Sequence, residues 1–166
     1  SINNLKVSRG MQLGSLESLA IVDSFIASVL TVDDFKLEII HNQRIRIHLG
    51  TKEVLGRVFI SDYKSIYESS SRIVLIRLEE KIPISYKDKF IFRQYSPQIT
   101  IGGGEVIDND VIGKWKSIRV YINELSQTKE GDIIEKLVSF RKYNPLKENE
   151  AEKLFGMSKQ RIKSIV

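Results

Sequence analysis

The segment Phe90 to Asp108, FIFRQYSPQITIGGGEVID, decides the fold class because it joins two short strands through a polar turn. Phe90 and Phe92 recur with the period of two that is typical of a strand with one buried face. Gln94 to Pro97 supplies turn residues that break this strand, and Ile99 to Ile101 begins another. The segment therefore predicts the last hairpin of a β-barrel.

Three consecutive glycines, Gly102 to Gly104, stand inside the second strand of this hairpin. Glycine has no side chain to pack, so the run indicates a bulge or the close approach of another backbone or of a ligand. A phosphate-binding Walker loop would end in Gly-Lys-Ser/Thr before a helix, whereas Glu105 to Ile107 continues a strand. The glycines are interpreted as a bulge where the barrel packs tightly or meets a neighbouring domain.

The clearest alternation in the chain is Arg44 to Leu49, which separates a basic face of a strand from an apolar one. The two faces are Ile45, Ile47 and Leu49 against Arg44, Arg46 and His48. A turn at Gly50 to Glu53 and a return strand at Val54 to Ile60 follow, with Gly56 predicted as a bulge. This hairpin gathers four cations, Arg44, Arg46, Lys52 and Arg57, against one acidic residue, Glu53.

Further short strands complete a mainly β chain. They are predicted at Phe25 to Leu30 and Ile73 to Leu78, with a surface loop at Asp62 to Ser71. Pro83 cannot donate to a central ladder, so Lys81 to Ile84 is predicted as an edge or a strand end. About six strands at this spacing predict a six-stranded antiparallel closed barrel over residues 20–110, with residues 1–19 as the tail of a preceding barrel domain and a connector.

Past Asp110 the apolar period changes to that of helices, so residues 111–166 are predicted to be a separate, truncated helical region. Helices are predicted at Val111 to Ser126, from Asp132 to before Asn144, at Glu148 to Phe155 and at Lys159 to Val166. The last two resemble a helix-turn-helix, because Gly156 ends the third helix and Ser158 is placed to cap the fourth. An ordinary pair of amphipathic helices has the same pattern, so both interpretations stay open.

Composition restricts the function. The chain has 166 residues, no cysteine and two histidines, which disfavours disulfides, thiolate chemistry and zinc sites, and no catalytic or metal-binding set of residues is predicted. No stretch approaches the roughly 20 apolar residues of a membrane span, so we expect a cytoplasmic protein without a membrane partner. The first residue is serine, which suggests an excised fragment.

The charge of the chain is unevenly distributed. Residues 1–110 contain 14 basic and 14 acidic residues, so the net charge of +5 comes from residues 111–166, with 12 basic and 7 acidic residues. A basic surplus favours a polyanionic partner such as nucleic acid, and a solvated surface explains it equally well.

Two segments carry a family resemblance. The sequences IHLGTKEVLGRVFI (47–60) and IRLEEKIPISYKDKFIFRQYSPQITIGGGEVID (76–108) resemble the third domain of bacterial selenocysteine-specific elongation factors, relatives of elongation factor Tu. LKVSRGMQLGSL (5–16) is similar to the end of the family's second domain, and the helical region is similar to the start of its C-terminal winged helices. The resemblance covers nearly the whole chain and implies a translation-factor barrel followed by a winged-helix-like segment.

The resemblance also implies partners. The family delivers selenocysteinyl-tRNA to the ribosome as a GTP complex, and its winged helices bind a selenocysteine insertion hairpin in messenger RNA. GTP and magnesium belong to an N-terminal GTPase domain whose motifs have no counterpart in these residues, so this chain is expected to have no cofactor and no enzymatic activity. Its other expected partner is that GTPase domain.

The third barrel of such factors holds the acceptor and T-stem region of the tRNA. His48 to Glu53 and Arg93 to Pro97 match the two family segments that approach the tRNA backbone. Backbone recognition needs cations for phosphates and polar groups that reach the 2′-hydroxyls. The candidates for RNA binding are Arg44, Arg46, His48, Thr51, Lys52, Arg57, Arg93, Tyr95 and Ser96.

Each candidate also has an ordinary structural explanation. Exposed arginines such as Arg44 and Arg46 are often only solvated, His48 fits a rim position, and Tyr95 fits barrel packing. Two functions stay open: an RNA-binding barrel, which needs the cations on one exposed surface, or a barrel that braces the GTPase domain, which needs apolar residues exposed there. An independent DNA-binding regulator would need a complete wing, which the sequence does not show.

Overall fold

A computed structural model gives the arrangement of the chain and describes Met11, residues 20–32, 38–67 and 70–140, and Gln160. Six strands and two α-helices lie within these ranges. The strands are β1 (Ala20–Thr31), β2 (Gln43–Leu49), β3 (Lys52–Phe59), β4 (Ser71–Ile84), β5 (Lys89–Gln94) and β6 (Thr100–Asp108).

The strands close into one barrel in which all neighbouring pairs are antiparallel. Around the barrel the order is β1, β4, β3, β2, β5, β6, and β6 pairs with β1 to complete the circle. Closure leaves these strands without an open edge on which another chain could pair. The predicted six-stranded antiparallel closed barrel is confirmed.

Alternation along β2 behaves as its sequence predicts. Ile45, Ile47 and Leu49 point inward and are at most 3% exposed, so they belong to the main core of the barrel. Arg44 and Arg46, on the other face, are partly exposed. Because side chains alternate along a strand, this one segment contributes both to the core and to an outward basic surface.

Gly102 and Gly104 make room for two phenyl rings inside the barrel. In the pairing of β5 with β6, Phe92 lies opposite Gly102 and Phe90 lies opposite Gly104. A Cβ atom added to Gly104 would lie 2.5 Å from the carbonyl oxygen of Ser28 and 2.7 Å from Cζ of Phe90. The close approach predicted for the glycines is confirmed, and the approaching groups belong to the barrel itself.

The bulges predicted at glycines are wrong. The unpaired residue in the pairing of β6 with β5 is Ile101, just before the glycines. Gly56 is in regular register with Ile45 on β2 and Leu78 on β4. An added Cβ at Gly56 would lie 2.7 Å from the carbonyl oxygen of Arg77, so close packing against β4 explains this glycine too.

Strand β4 contains the main irregularity of the barrel. The two segments predicted as separate strands form one strand of 14 residues, with Pro83 next to its end, as its missing N–H requires. Val22 of β1 pairs with Ile82 and Ser24 pairs with Arg77, so four residues of β4, 78–81, lie opposite one residue of β1. This bulge displaces that part of β4 from β1.

The predicted surface loop from Asp62 to Ser71 is partly buried. Ile66 is fully buried and forms a β-bridge with Ile39, with backbone hydrogen bonds of 2.9 and 3.0 Å in both directions. Both side chains join the main core. Most described residues of this segment are exposed, as predicted for a surface loop, but the burial of Ile66 was not predicted because a single apolar residue has no period.

Two helices follow the barrel, α1 (Trp115–Gln127) and α2 (Ile133–Phe140), separated by a short 3₁₀ turn. The first helix begins four residues later than predicted, after Gly113, whose φ of +112° is incompatible with a helix. Ile112, predicted on the buried face, is 51% exposed for the same reason. The predicted third and fourth helices lie outside the described residues, apart from Gln160, which is helical and exposed.

Helix α1 packs on the outside of the barrel and forms a second, smaller core. Ile118, Ile122 and Leu125 of the helix are buried in a cluster that includes barrel residues such as Ile26 and Leu75. The contact is apolar, so α1 is part of the packed body that includes the barrel.

A buried hydrogen bond reinforces this contact. Tyr121 donates its hydroxyl to Oδ2 of Asp108 over 3.0 Å, and the Asp110 N–H donates to Oδ1 of the same carboxylate. Asp108 and Tyr121 are both almost fully buried, so each satisfies a polar group of the other that water cannot reach.

Candidate nucleic-acid interface

Eight of the nine residues predicted to bind RNA lie on one outward surface formed by β2, β3 and β5 and the loops at its two ends, and the ninth, Lys52, lies at one end of this surface, opposite the buried Leu49. We call this surface the cationic face; it contains Arg44, Arg46, His48, Thr51, Lys52, Arg57, Arg93, Tyr95 and Ser96. Its members come from two hairpins that are separated in sequence and joined by the pairing of β2 with β5. This arrangement is consistent with the prediction that an RNA-binding barrel has these cations on one exposed surface.

The two loops that resemble tRNA-approaching segments lie at opposite ends of β2. Ile45 pairs with Gln94, so Tyr95 and Ser96 lie near the first residues of β2. Thr51 lies in the turn that follows the last residue of the strand. At about 3.3 Å per residue, β2 separates the loops by roughly 20 Å. The cationic face is therefore an elongated surface with one loop at each end.

Arginines lie directly opposite each other on neighbouring strands of this surface. Arg46 pairs with Arg93 across β2 and β5, and Arg44 pairs with Arg57 across β2 and β3. Arg57 in turn pairs with Arg77 of β4, which extends the row by one strand. Like charges directly opposite destabilise a sheet, so this arrangement needs anions nearby.

Arg77 was not among the predicted residues. It alternates with buried neighbours in β4, but only the register of β3 against β4 brings it beside Arg57. Its guanidinium lies 4.9 Å from the ring centroid of Phe59. No signal in the sequence of a single strand could have placed it there.

Three carboxylates neutralise part of the cationic face. Glu79 holds Arg44 by two parallel hydrogen bonds of 2.7 Å each, and Glu80 lies 3.1 Å from Nζ of Lys52. Only Glu53 was predicted beside these cations, and it accepts a hydrogen bond from Arg46. That estimate is corrected, because Glu79 and Glu80 reach the face from β4.

The bulge of β4 accounts for these two acids. Glu79 and Glu80 are among the four residues of β4 that lie opposite Asp23 alone. Their side chains are partly exposed and contact Arg44 on β2 and Lys52 at the start of β3. A bulge re-aims side chains, and here two of them point into the cationic face.

The loop after β5 adds an aromatic platform. The guanidinium of Arg44 lies 4.6 Å from the ring centroid of Tyr95, and that of Arg46 lies 5.7 Å from it. Arg93 donates from Nη2 to the carbonyl oxygen of Gln98 over 2.8 Å. Tyr95 is 43% exposed, so it stacks under arginines at the surface and does not pack in the barrel.

Two arginines and a histidine of the face use only part of their hydrogen-bonding capacity. Nε of Arg46 and Nε of Arg93 are covered and have no hydrogen-bond partner among the described residues. Nε2 of His48 is also without a hydrogen bond, but it lies 3.5 Å from Oε2 of Glu53, where a protonated ring would form an ion pair. These groups are positioned by their neighbours at some cost in solvation.

The remaining candidates have simpler contacts. Arg57 is exposed and donates to the carbonyl oxygen of Asn42 over 3.0 Å. Ser96 is exposed beside Pro97, and its carbonyl oxygen accepts from the side-chain amide of Gln94. Thr51 is exposed in the turn between β2 and β3.

The ion pairs lower the pKa of two of the carboxyls. The hydrogen bond from Arg44 holds the pKa of Glu79 below 4.5, and the hydrogen bond from Arg46 does the same for the pKa of Glu53. Burial opposes both shifts and is outweighed. A depressed carboxyl pKa means that the pair exists above the ordinary value and is lost as the pH falls through the lowered one.

This gives a direct prediction for Glu79. In an NMR titration of the glutamate side chains, Arg44→Ala is expected to move the pKa of Glu79 back toward 4.5, because the largest lowering interaction is removed. The pKa of Glu53 is the internal control, since Arg46 lowers it. An unchanged pKa of Glu79 in this variant would show that the pair does not form in solution.

A cluster of aromatic side chains that was not predicted from the sequence joins α1 to the end of β3. Trp115 lies 5.6 Å from Phe59 and 5.7 Å from His41, measured between ring centroids. The indole N–H donates to the hydroxyl of Tyr63 over 3.1 Å, and the guanidinium of Arg119 lies over the same tyrosine ring. The four rings come from separate segments, so no spacing in the sequence indicated the cluster.

The described residues do not fit a nucleotide or metal site. Among them there is no group of three or more histidine, aspartate or glutamate side chains that could hold a metal ion. Gly102 to Gly104 lie within β6 and pair on both sides, so their N–H groups do not form a phosphate cradle. In the part of the chain that is described, no helix is long and apolar enough to cross a membrane.

Comparison with known proteins agrees with the barrel. Residues 27–112, just over half of the chain, match the family described as the selenocysteine-specific elongation factor, beta-barrel domain. A selenocysteine-specific elongation factor from Desulfomicrobium baculatum is 28% identical over 68 residues, which are 41% of this chain and 11% of that protein.

A solved structure shows the same fold. The crystal structure of a bacterial selenocysteine-specific elongation factor, EF-Sec, is similar with a TM-score of 0.61 and 23% identity, over 86% of this chain and 22% of that one. The chain thus spans about a tenth to a fifth of the length of these relatives. Since the family match covers more than half of its residues, the chain belongs to the selenocysteine-specific elongation factors, in which it corresponds to the β-barrel domain.

Proposed function

We propose that this chain is the barrel part of a longer factor that delivers selenocysteinyl-tRNA to the ribosome, and that the cationic face contacts the backbone of the tRNA acceptor and T stems. The observation that carries the proposal is the placement of Arg44 and Arg46 over the ring of Tyr95, with Arg93 directly opposite Arg46, on one exposed surface. Membership of the family supports the delivery role.

The chemistry of the surface fits an RNA backbone. Arginine binds phosphate through its planar fork of N–H groups, and several arginines on one surface can contact more than one phosphate. RNA duplexes are recognised mainly by shape, through phosphates and 2′-hydroxyls. Thr51 and Ser96, exposed at the two ends of the cationic face, supply groups that can bond to 2′-hydroxyls.

The length of the surface suits a stem. The two loops are separated by roughly 20 Å along β2, so a bound RNA would be contacted at two places by loops and between them by arginines. Phosphate contacts of this kind fix position and orientation and carry no sequence information. Selection of one tRNA is accordingly assigned to other parts of the factor.

The remaining roles of the parent are proposed with it. The helical residues after the barrel would lead to winged helices that bind the messenger RNA hairpin, and the ribosome is the destination of the complex in the cytoplasm. GTP and magnesium would be bound by a separate GTPase domain. This barrel then has no catalytic step of its own.

A second candidate function is an interface with the GTPase domain. Leu30 of β1 and Ile91 of β5 both pair with Gly103 and are 53% and 52% exposed. Because Gly103 has no side chain, the two apolar residues flank a shallow apolar patch beside the cationic face, where Ile91 also pairs with His48. Contact of this patch with another domain is compatible with RNA binding on the arginines.

The test is tRNA binding by the full-length factor. Replacing Arg44, Arg46 and Lys52 with alanine is expected to weaken binding of selenocysteinyl-tRNA, because three phosphate contacts are removed. A variant with alanine at Lys114, Lys116 and Lys129, three exposed lysines that follow the barrel and lie outside the cationic face, loses the same charge and is the control. Equal affinities for the two variants would overturn the proposal.

A further inference from the structure

We propose that Glu79 and Glu80 compete with the RNA phosphates for Arg44 and Lys52. A phosphate must then displace a carboxylate to bind either cation through the same N–H groups. This inference rests on the proposed function and adds a device that sets the affinity of the cationic face. It assigns a role to two residues of β4 that no resemblance to the family identified.

The contacts carry the first step. Glu79 uses both carboxylate oxygens on Nε and Nη2 of Arg44, each at 2.7 Å. This is the same fork geometry that a phosphate would use. A phosphate and the carboxylate of Glu79 therefore compete for the same N–H groups, and both cannot hold them at once.

Glu80 has the same relation to Lys52, with an Nζ to Oε1 distance of 3.1 Å. Both pairs are exposed enough for exchange: the side chains of Glu79 and Glu80 are 43% and 51% exposed. A released carboxylate is immediately solvated by water. Displacement thus needs a change of rotamer and no change in the barrel.

Stability alone does not explain why these acids are here. An exposed ion pair contributes little to stability. The bulge that presents them places four residues of β4 opposite one residue of β1 and interrupts the hydrogen-bond ladder of that pair. Bulges re-aim side chains at functional surfaces, and this one places two anions on two cations proposed to bind RNA.

A competitor makes a different prediction from a positioning residue. If Glu79 only oriented Arg44 for RNA, its loss would weaken RNA binding, because the arginine would become mobile. If Glu79 competes with phosphate, its loss strengthens binding, because nothing must be displaced. The direction of the change in affinity therefore decides between the two roles.

The experiment compares RNA binding by the full-length factor and its Glu79→Gln, Glu80→Gln double variant. Glutamine keeps the shape and one hydrogen-bond acceptor but removes the charge. We expect the variant to bind selenocysteinyl-tRNA more tightly, by roughly twofold to fivefold for each exchanged acid, the range expected for an exposed pair. An RNA duplex of unrelated sequence, used as a second probe, is expected to gain affinity as well.

The control is Glu124→Gln, Glu135→Gln, which changes the net charge equally on the two helices, away from the cationic face. If both double variants bind RNA more tightly, the gain in affinity comes from net charge and the inference is overturned. Unchanged or weaker RNA binding by the Glu79, Glu80 variant would also overturn it. If that variant does not fold, Glu80→Gln alone is measured, since it disturbs only an exposed pair. If alanine at Arg44, Arg46 and Lys52 also leaves binding unchanged, the proposed function fails; if it weakens binding, only the inference fails.

Discussion

Replacing Gly102 with alanine is expected to lower the free energy of unfolding of the barrel by about 3 kcal/mol or more, the upper end of the range for overpacking. The added Cβ would overlap the carbonyl oxygen of Leu30 and the ring of Phe92. The ring can move only into a core that is already filled, and the carbonyl belongs to the ladder between β1 and β6. Neither group has space to yield.

The matched control is Gly131→Ala. An added Cβ at Gly131 meets no atom within 4 Å, so we expect a change in the free energy of unfolding close to zero. Denaturant unfolding of the two variants, followed by circular dichroism, measures the difference. Similar midpoints for Gly102→Ala and Gly131→Ala would mean that the ring packing around Gly102 is wrong.

The second large effect is expected on the salt dependence of RNA binding. Alanine at Arg44, Arg46 and Lys52 is expected to reduce the slope of log K against log salt concentration by about three, one for each lost phosphate contact. At low salt the affinity of the full-length factor for selenocysteinyl-tRNA should fall by at least about tenfold. The slope is the sharper readout, because it counts contacts even when the remaining domains hold the tRNA.

The control for this prediction is the variant with alanine at Lys114, Lys116 and Lys129. It removes three positive charges from exposed positions outside the cationic face, so its slope should stay close to that of the unchanged factor. A reduced slope in both variants would show a general field effect of charge. The same slope in all three proteins would show that the cationic face makes no phosphate contacts.

The sequence was sufficient for the fold because its strands alternate clearly. The inward Ile45 and Ile47 and the outward Arg44 and Arg46 could be assigned from β2 alone. The hairpin of β5 and β6 was equally clear, and the glycines within it signalled close approach. The sequence did not show which group lies against the glycines, because the pairing of Phe92 with Gly102 depends on the register of β5 and β6.

The composition of the cationic face was predicted less completely than its position. Glu79 and Glu80 fell between the two segments predicted as strands, and the bulge at which they contact Arg44 and Lys52 has no marker in the sequence. Arg77 was missed for a related reason, since its neighbour Arg57 belongs to another strand. Contacts between strands that are distant in the sequence follow from register, which the pattern of a single strand does not give.

The start of α1 shows how local geometry can override period. Ile112 fits the apolar repeat of the helix, but the left-handed conformation of Gly113 delays the helix until Trp115. Trp115 then contacts His41 and Phe59 of the barrel instead of lying on the apolar stripe alone. The apolar repeat therefore predicted the helix correctly but placed its first residue four positions too early.

The most direct test of an RNA-binding cationic face is site-specific photocrosslinking in the full-length factor bound to selenocysteinyl-tRNA. A photoreactive residue is placed at Thr51, at Ser96 or, as a control, at Lys116 on the exposed side of α1. Crosslinks to the acceptor and T stems are predicted from Thr51 and Ser96, at nucleotides roughly 20 Å apart, and none from Lys116. Bound tRNA that crosslinks from neither Thr51 nor Ser96 would contradict this account of the barrel.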